Sequence, residues 1–243
     1  MATIDHTAFE VRRRQERLPA PGYVRSAPAT FSYLLLLLAT TWTLATVTPS
    51  VADRLLLESS TNLDRLGQDP IRVLVASAFW VGGWSSLALW TVLFAVVAAP
   101  VERRLGSRRT IGIFAAGHVG ATLAVALGLW LALHLAAVDR SVAHARDVGA
   151  SYGFFAVAGV AALLPRGRLR IVGITPLLAA LATAAALDPD FTAFGHLAAV
   201  AIGLALYPLV RRRAVSSRRR AGKEEPCRGS SAESPPASAA PPG

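Results

Sequence analysis

Six stretches of this chain contain no Asp, Glu, Lys or Arg: residues 31–51, 73–101, 110–138, 148–165, 171–187 and 191–210. Each reaches the roughly 17–25 apolar residues that an α-helix needs to cross about 30 Å of hydrocarbon. Lipid offers nothing to satisfy backbone N–H and C=O groups, so spans of this kind must be helical. The chain of 243 residues is 53% hydrophobic yet carries 25 Lys and Arg, and the two populations are segregated into blocks. A soluble domain would intermix them. The first block follows a polar, Arg-containing segment and lacks a small-residue cleavage site with signal-peptide flanks, which predicts a retained span. The fold class expected is an all-α membrane bundle of six transmembrane helices.

Basic residues accumulate on the cytoplasmic side of membranes, so their placement predicts orientation. One set of segments holds Arg12, Arg13, Arg14, Arg17 and Arg25, then Arg103, Arg104, Arg108 and Arg109, then Arg166, Arg168 and Arg170, and finally the basic cluster from Arg211 to Arg228. The alternate loops hold only Arg54, Arg65, Arg72, Arg140 and Arg146, alongside acidic residues that include Asp147 and Asp190. This bias predicts both termini in the cytoplasm. The net charge of +10 is thereby assigned to topology, and no aromatic or sequence motif supports nucleic-acid binding by the tail. Three segments follow: a cytoplasmic arm over 1–28, partly helical around Arg12–Arg17; the membrane domain over 29–213; and a tail over 214–243. The tail is rich in Ser, Pro, Ala and Arg, a composition that predicts disorder. The single cysteine, Cys227, falls in the tail, which excludes a disulfide framework and a cysteine-based metal site. An Ala-rich, Arg-over-Lys composition points to a bacterial plasma membrane.

Ionisable groups inside spans are costly and therefore informative. His134 lies near the outer end of its block and can snorkel, and His118 is placed for a structural hydrogen bond to a neighbouring helix. His196 is different because of what shares its depth. At 1.5 Å per residue, Ser151 lies ~6 Å below Asp147 and His196 ~9 Å below Asp190, both descending from the outer face. A serine hydroxyl needs an adjacent base to attack a carbonyl, and histidine supplies one. Gly149, Gly153 and Gly159 also allow close helix packing whatever the function.

These residues resemble the rhomboid family of intramembrane serine proteases, over roughly Ala29 to Arg213. Gly149, Ala150 and Ser151 are similar to the family's Gly-x-Ser motif, with Gly159 eight residues on. His196, Ala199 and Gly203 are similar to its last-helix His followed by small residues. The run Val101-Glu102-Arg103-Arg104-Leu105-Gly106-Ser107 looks like the family's turn before helix 3. Pro70-Ile71-Arg72 and Ser77-Ala78-Phe79 resemble the end of its long first outer loop, here Ala52 to Asp69.

The resemblance implies a six-helix rhomboid-like bundle that cleaves transmembrane segments near the outer face through a Ser151–His196 dyad, with transmembrane proteins as substrates and the lipid bilayer as surroundings. No metal or organic cofactor is implied. Gly149, Tyr152, Ser86 and Phe155 form the expected oxyanion and support set, with Phe155 packing on the His196 ring. Three positions depart from the family pattern. Tyr152 stands where a Gly usually follows the nucleophile, with Gly153 offering partial compensation. Ser86 and Trp90 stand where helix 2 usually carries His and Asn, and Ile71 replaces a Trp. The alternative is an inactive rhomboid-fold protein that binds transmembrane segments. A channel or transporter has no support from an internal repeat or an in-span carboxylate.

Overall fold

The computed structural model describes residues 20–144, 146–165, 167–187 and 190–221, and no strand occurs among them. The elements are α1 (Ala20–Arg25), α2 (Pro28–Thr46), α3 (Pro49–Glu58), α4 (Leu63–Gln68), α5 (Pro70–Ala76), α6 (Trp84–Leu105), α7 (Ser107–His134), α8 (Ser151–Leu163), α9 (Leu169–Leu187) and α10 (Phe191–Ala221). Five of these contain segments long and apolar enough to cross a bilayer: α2, α6, α7, α9 and the Phe191–Val210 part of α10. The protein is a multi-pass membrane protein. The arm helix expected around Arg12–Arg17 lies outside the described residues. So do Cys227 and the rest of the tail beyond 221, whereas α10 runs past the boundary expected at 213.

Two apolar blocks fold differently from a plain span. The block expected to run from Val73 to Val101 is broken near its start. Helix α5 ends in a 3₁₀ turn at Ser77–Phe79, Trp80 is extended, and Gly83 takes φ +111° before α6 begins at Trp84. That left-handed conformation is open to glycine and strained for other residues. Residues 73–79 therefore belong to the loop side of the fold. The block over 148–165 yields only 13 helical residues, α8. At 1.5 Å per residue this is about 20 Å, too short to cross hydrocarbon unaided. Helix α8 is the buried centre of the bundle, with Tyr152, Phe154, Val157 and Val160 among its enclosed side chains. Its neighbours meet the lipid in its place.

Glycine and alanine set the packing around α8. A Cβ on Gly203 of α10 would overlap the Ala156 carbonyl, and one on Gly159 would come within 2.8 Å of Val200 O. A Cβ on Gly117 of α7 would collide with the Ala156 side chain. Small residues that let backbones approach are the usual basis of helix association in lipid, where water cannot drive it.

A second device joins α2, α6 and α7. Glu102, 2% exposed, accepts hydrogen bonds from Ala29 N (2.8 Å), Thr30 N (2.8 Å), Thr30 Oγ1 (2.7 Å) and Ser107 Oγ (2.6 Å). One carboxylate thus serves two first-turn N–H groups of α2 and the first residue of α7. Earlier in α6, Ala99 N–H bonds back five residues to Phe94 O, making a π-turn. Pro100 has no N–H to continue the pattern, so the Ala95 carbonyl is left without a helical donor. Tyr23 OH of α1 donates to it at 2.6 Å. The proline thereby creates the acceptor that fastens the N-terminal helix.

Glu102→Ala strands four donors at once and is expected to destabilise the protein by on the order of 3 kcal/mol, with Glu102→Gln losing less. Thermal unfolding in detergent micelles measures this. An unchanged melting temperature in the Ala variant contradicts the role assigned to the carboxylate.

Candidate active site

Ser151 is the first residue of α8. Its approach is fixed by Gly149, whose φ of +146° turns the chain and whose N–H donates to Ser77 O at 2.9 Å. The helical ladder begins with Phe154 N–H donating to Ala150 O at 3.0 Å, and no side chain caps the helix. The N–H groups of Ser151, Tyr152 and Gly153 therefore stand as open first-turn donors at the positive end of the helix dipole. An anion forming at Ser151 would meet them.

His196 lies in the second turn of α10. Its ring packs on Phe155, one turn below Ser151, with centroids 4.5 Å apart, and meets Tyr152 edge-on at 5.6 Å. Nε2 of His196 is buried and has no hydrogen-bond partner, so no bond joins it to Ser151. The structure brings Phe155 and His196 together across the α8–α10 interface, and Ser151 lies one turn before Phe155 on α8 with no hydrogen bond to His196.

The Tyr152 ring enters that interface rather than standing open beside the nucleophile. It is 2% exposed and lies across Gly195, where an added Cβ would come within 2.6 Å of its hydroxyl and closer still to its ring. Gly195 is thus the hole that Tyr152 fills. The hydroxyl is near Asp147 and Thr192 yet makes no bond of hydrogen-bonding geometry. Gly153 faces Phe114 of α7, whose ring a Cβ would overlap, so its small size serves helix packing. Ser86 lies in the first turns of α6 just after the Trp80–Gly83 turn, and Trp80 O is adjacent to Gly149. No hydrogen bond links Ser86 to Ser151. Trp90 is committed elsewhere, packing on Phe154 at 5.4 Å and Phe94 at 6.2 Å.

The Ser–His pair actually in hydrogen-bond contact is a different one. Ser77 Oγ lies 3.0 Å from His118 Nε2, and both residues are buried. The same nitrogen is 3.0 Å from the Leu74 carbonyl oxygen, which can only accept. Nε2 therefore carries the proton and donates. It has no lone pair with which to take a proton from Ser77, so this pair is a tie between α5 and α7 and not a nucleophile with its base.

Sequence reasoning also missed a strap over the head of α8. Asp147 N–H donates to Ser60 Oγ at 2.8 Å, its carbonyl accepts from Thr61 N at 3.0 Å, and its carboxylate accepts from Thr61 Oγ1 at 3.1 Å. The polar run Ser59-Ser60-Thr61-Asn62, buried throughout, was the available signal. Arg146 adds a 3.2 Å bond to Asp53.

A membrane bundle with a serine at the head of a buried central helix and a histidine ring held beside that helix is the arrangement of a rhomboid-type protein. A family model described as rhomboid-like protein matches residues 22–216, and the chain belongs to that family. No curated protein and no solved structure matches it.

Burial pushes the Asp147 carboxyl up to about 6, with Asp190 adding to the rise while the hydrogen bond from Thr61 opposes it. A carboxyl raised above its ordinary value is favoured neutral in the fold. Its ionised form costs stability, a cost incurred as pH climbs from about 4 to 6 and retained above. Asp147→Asn is therefore expected to melt higher than wild type at pH 7.5, with the difference closing by pH 4. Melting curves across that range check it; a variant less stable at pH 7.5 contradicts the assignment.

Proposed function

We propose that the protein is an intramembrane serine endopeptidase that cuts transmembrane segments of other proteins near the outer face of a bacterial plasma membrane. In this reading α8 is the sixth crossing, shielded by the others, and both termini are cytoplasmic. The observation that carries it is the α8–α10 interface. Ser151 heads a helix with open N–H donors, and His196, with an unpaired buried Nε2, packs with its ring tilted against Phe155 one turn below.

In the reaction, the Ser151 hydroxyl attacks the peptide carbonyl and His196 takes its proton, later passing it to the leaving amine. Backbone N–H groups of the first turn of α8 hold the oxyanion, and their contribution is the larger because Trp90 is unavailable. Catalytic hydrogen bonds that are open in the free enzyme commonly close only around substrate, which accounts for the separated dyad. The outer end of α8 also admits the water needed for deacylation.

A second reading is an inactive rhomboid-fold protein that binds transmembrane segments. The open Ser151–His196 pair and the filling of the helix-2 positions by Ser86 and Trp90 favour it.

Reconstituted protein with a labelled transmembrane substrate separates the two. Under the peptidase reading Ser151→Ala and His196→Ala each lower cleavage by about a thousandfold or more. A fluorophosphonate probe labels wild type and not Ser151→Ala. Cleavage that survives both substitutions rejects the dyad. Substrate binding without cleavage in wild type, unchanged in Ser151→Ala, establishes the inactive reading.

A further inference from the structure

A cavity of about 280 Å³ opens between α2, α5 and α7, lined by neither Ser151 nor His196. Tyr33, Phe79, Phe94 and Phe114 form its inner wall. Val75, Ile111 and Val119 line it while remaining 58%, 55% and 37% exposed, so its mouth lies on the outer surface of the bundle. In a membrane protein that surface meets lipid.

The wall excludes most occupants. Its hydroxyls are already engaged: Tyr33 OH donates to Ala78 O, Thr30 Oγ1 to Glu102 and Thr110 Oγ1 to Gly106 O. His118 also lines the wall, with Nε2 engaged by Ser77 and Leu74 and Nδ1 left without a partner; that one atom falls short of the two to four polar partners a water needs. One turn of an α-helix, about 10 Å across and 5.4 Å in pitch, occupies about 400 Å³, so a transmembrane helix is too large. A segment of a single hydrocarbon chain is narrower than a helix and apolar throughout, so it fits the volume and the chemistry, with the rest of the chain lying in the lipid at the mouth.

The same face of α7 supplies a head-group contact. Ile111, Ala115 and Val119 follow one another at intervals of four, making an apolar stripe about 12 Å long. Arg108 lies three residues before Ile111, on the same face, and is exposed. Arg104, at the adjoining end of α6, is also exposed. A guanidinium presents a planar fork that matches phosphate oxygens. We propose that this cavity binds one acyl chain of an anionic phospholipid, with the lipid phosphate held at Arg108. The site is independent of peptidase activity.

Photo-crosslinking tests it on the full chain. The protein is reconstituted in phosphatidylcholine vesicles containing a trace of phosphatidylglycerol with a diazirine in mid-chain, irradiated, and the labelled peptides are identified. Label is expected to concentrate on residues 71–79 and 108–119. Ala115→Phe, a change at an exposed position that puts a ring over the mouth, is expected to abolish that label while preserving the melting temperature. Arg108→Gln is expected to reduce it about five-fold, the effect of one basic residue near a charged lipid surface. In wild type, excess unlabelled phosphatidylglycerol is expected to compete better than added phosphatidylcholine. Label spread evenly over α2, α7, α9 and α10, or unchanged by Ala115→Phe, overturns the site. Equal competition by the two lipids overturns its anionic preference.

Discussion

The approach of α8 to α10 governs the rest of the molecule. At Gly159 and Gly203 the two backbones come so close that a methyl group on either would strike main-chain atoms of the other helix. In lipid such proximity is where dispersion and weak polar contacts yield stability, because no hydrophobic effect draws the helices together. It also fixes their axial register. With Ala156 set against Gly203, Phe155 is brought onto the His196 ring and Tyr152 onto Gly195. The position of His196 relative to Ser151 is thus a consequence of glycine placement one to three turns away.

The remaining helices are held by satisfying backbone and carboxylate groups that lipid would leave bare. Glu102 is enclosed, yet four donors from α2 and α7 surround it. A buried carboxylate is tolerable only when paired or hydrogen-bonded in this way. The Ala95 carbonyl, stranded by the π-turn and Pro100, finds Tyr23. On the opposite side, Ser77–His118 and Asp147–Thr61 bind the loop helices to the bundle and carry that order to Gly149. Ser151 is therefore supported from beneath by helix packing and from above by the strap.

Tyr152 shows how a departure at one position is accommodated by another. A side chain as large as tyrosine directly after the serine needs somewhere to go, and Gly195, the residue before His196, provides the space. The pair replaces open volume near the histidine with an aromatic edge. His196 is consequently flanked by two rings, Phe155 and Tyr152, which limits the orientations its imidazole can adopt.

By itself the sequence determined the class of fold, the family and the residues to examine. Uncharged blocks, small residues at fixed intervals and a histidine at a matched depth are local properties, set by span length and helical periodicity. Other features needed the tertiary structure. The Val73–Val101 block is equally apolar on both sides of its break, so hydropathy could not find the turn at Gly83. The shortness of α8 is permitted only by neighbours that cover it. Ser77 with His118, and Asp147 with Thr61, are joined across 41 and 86 residues, and their meeting depends on how each helix is rotated about its axis. Rotation is decided by the summed packing of all faces, which no single segment encodes.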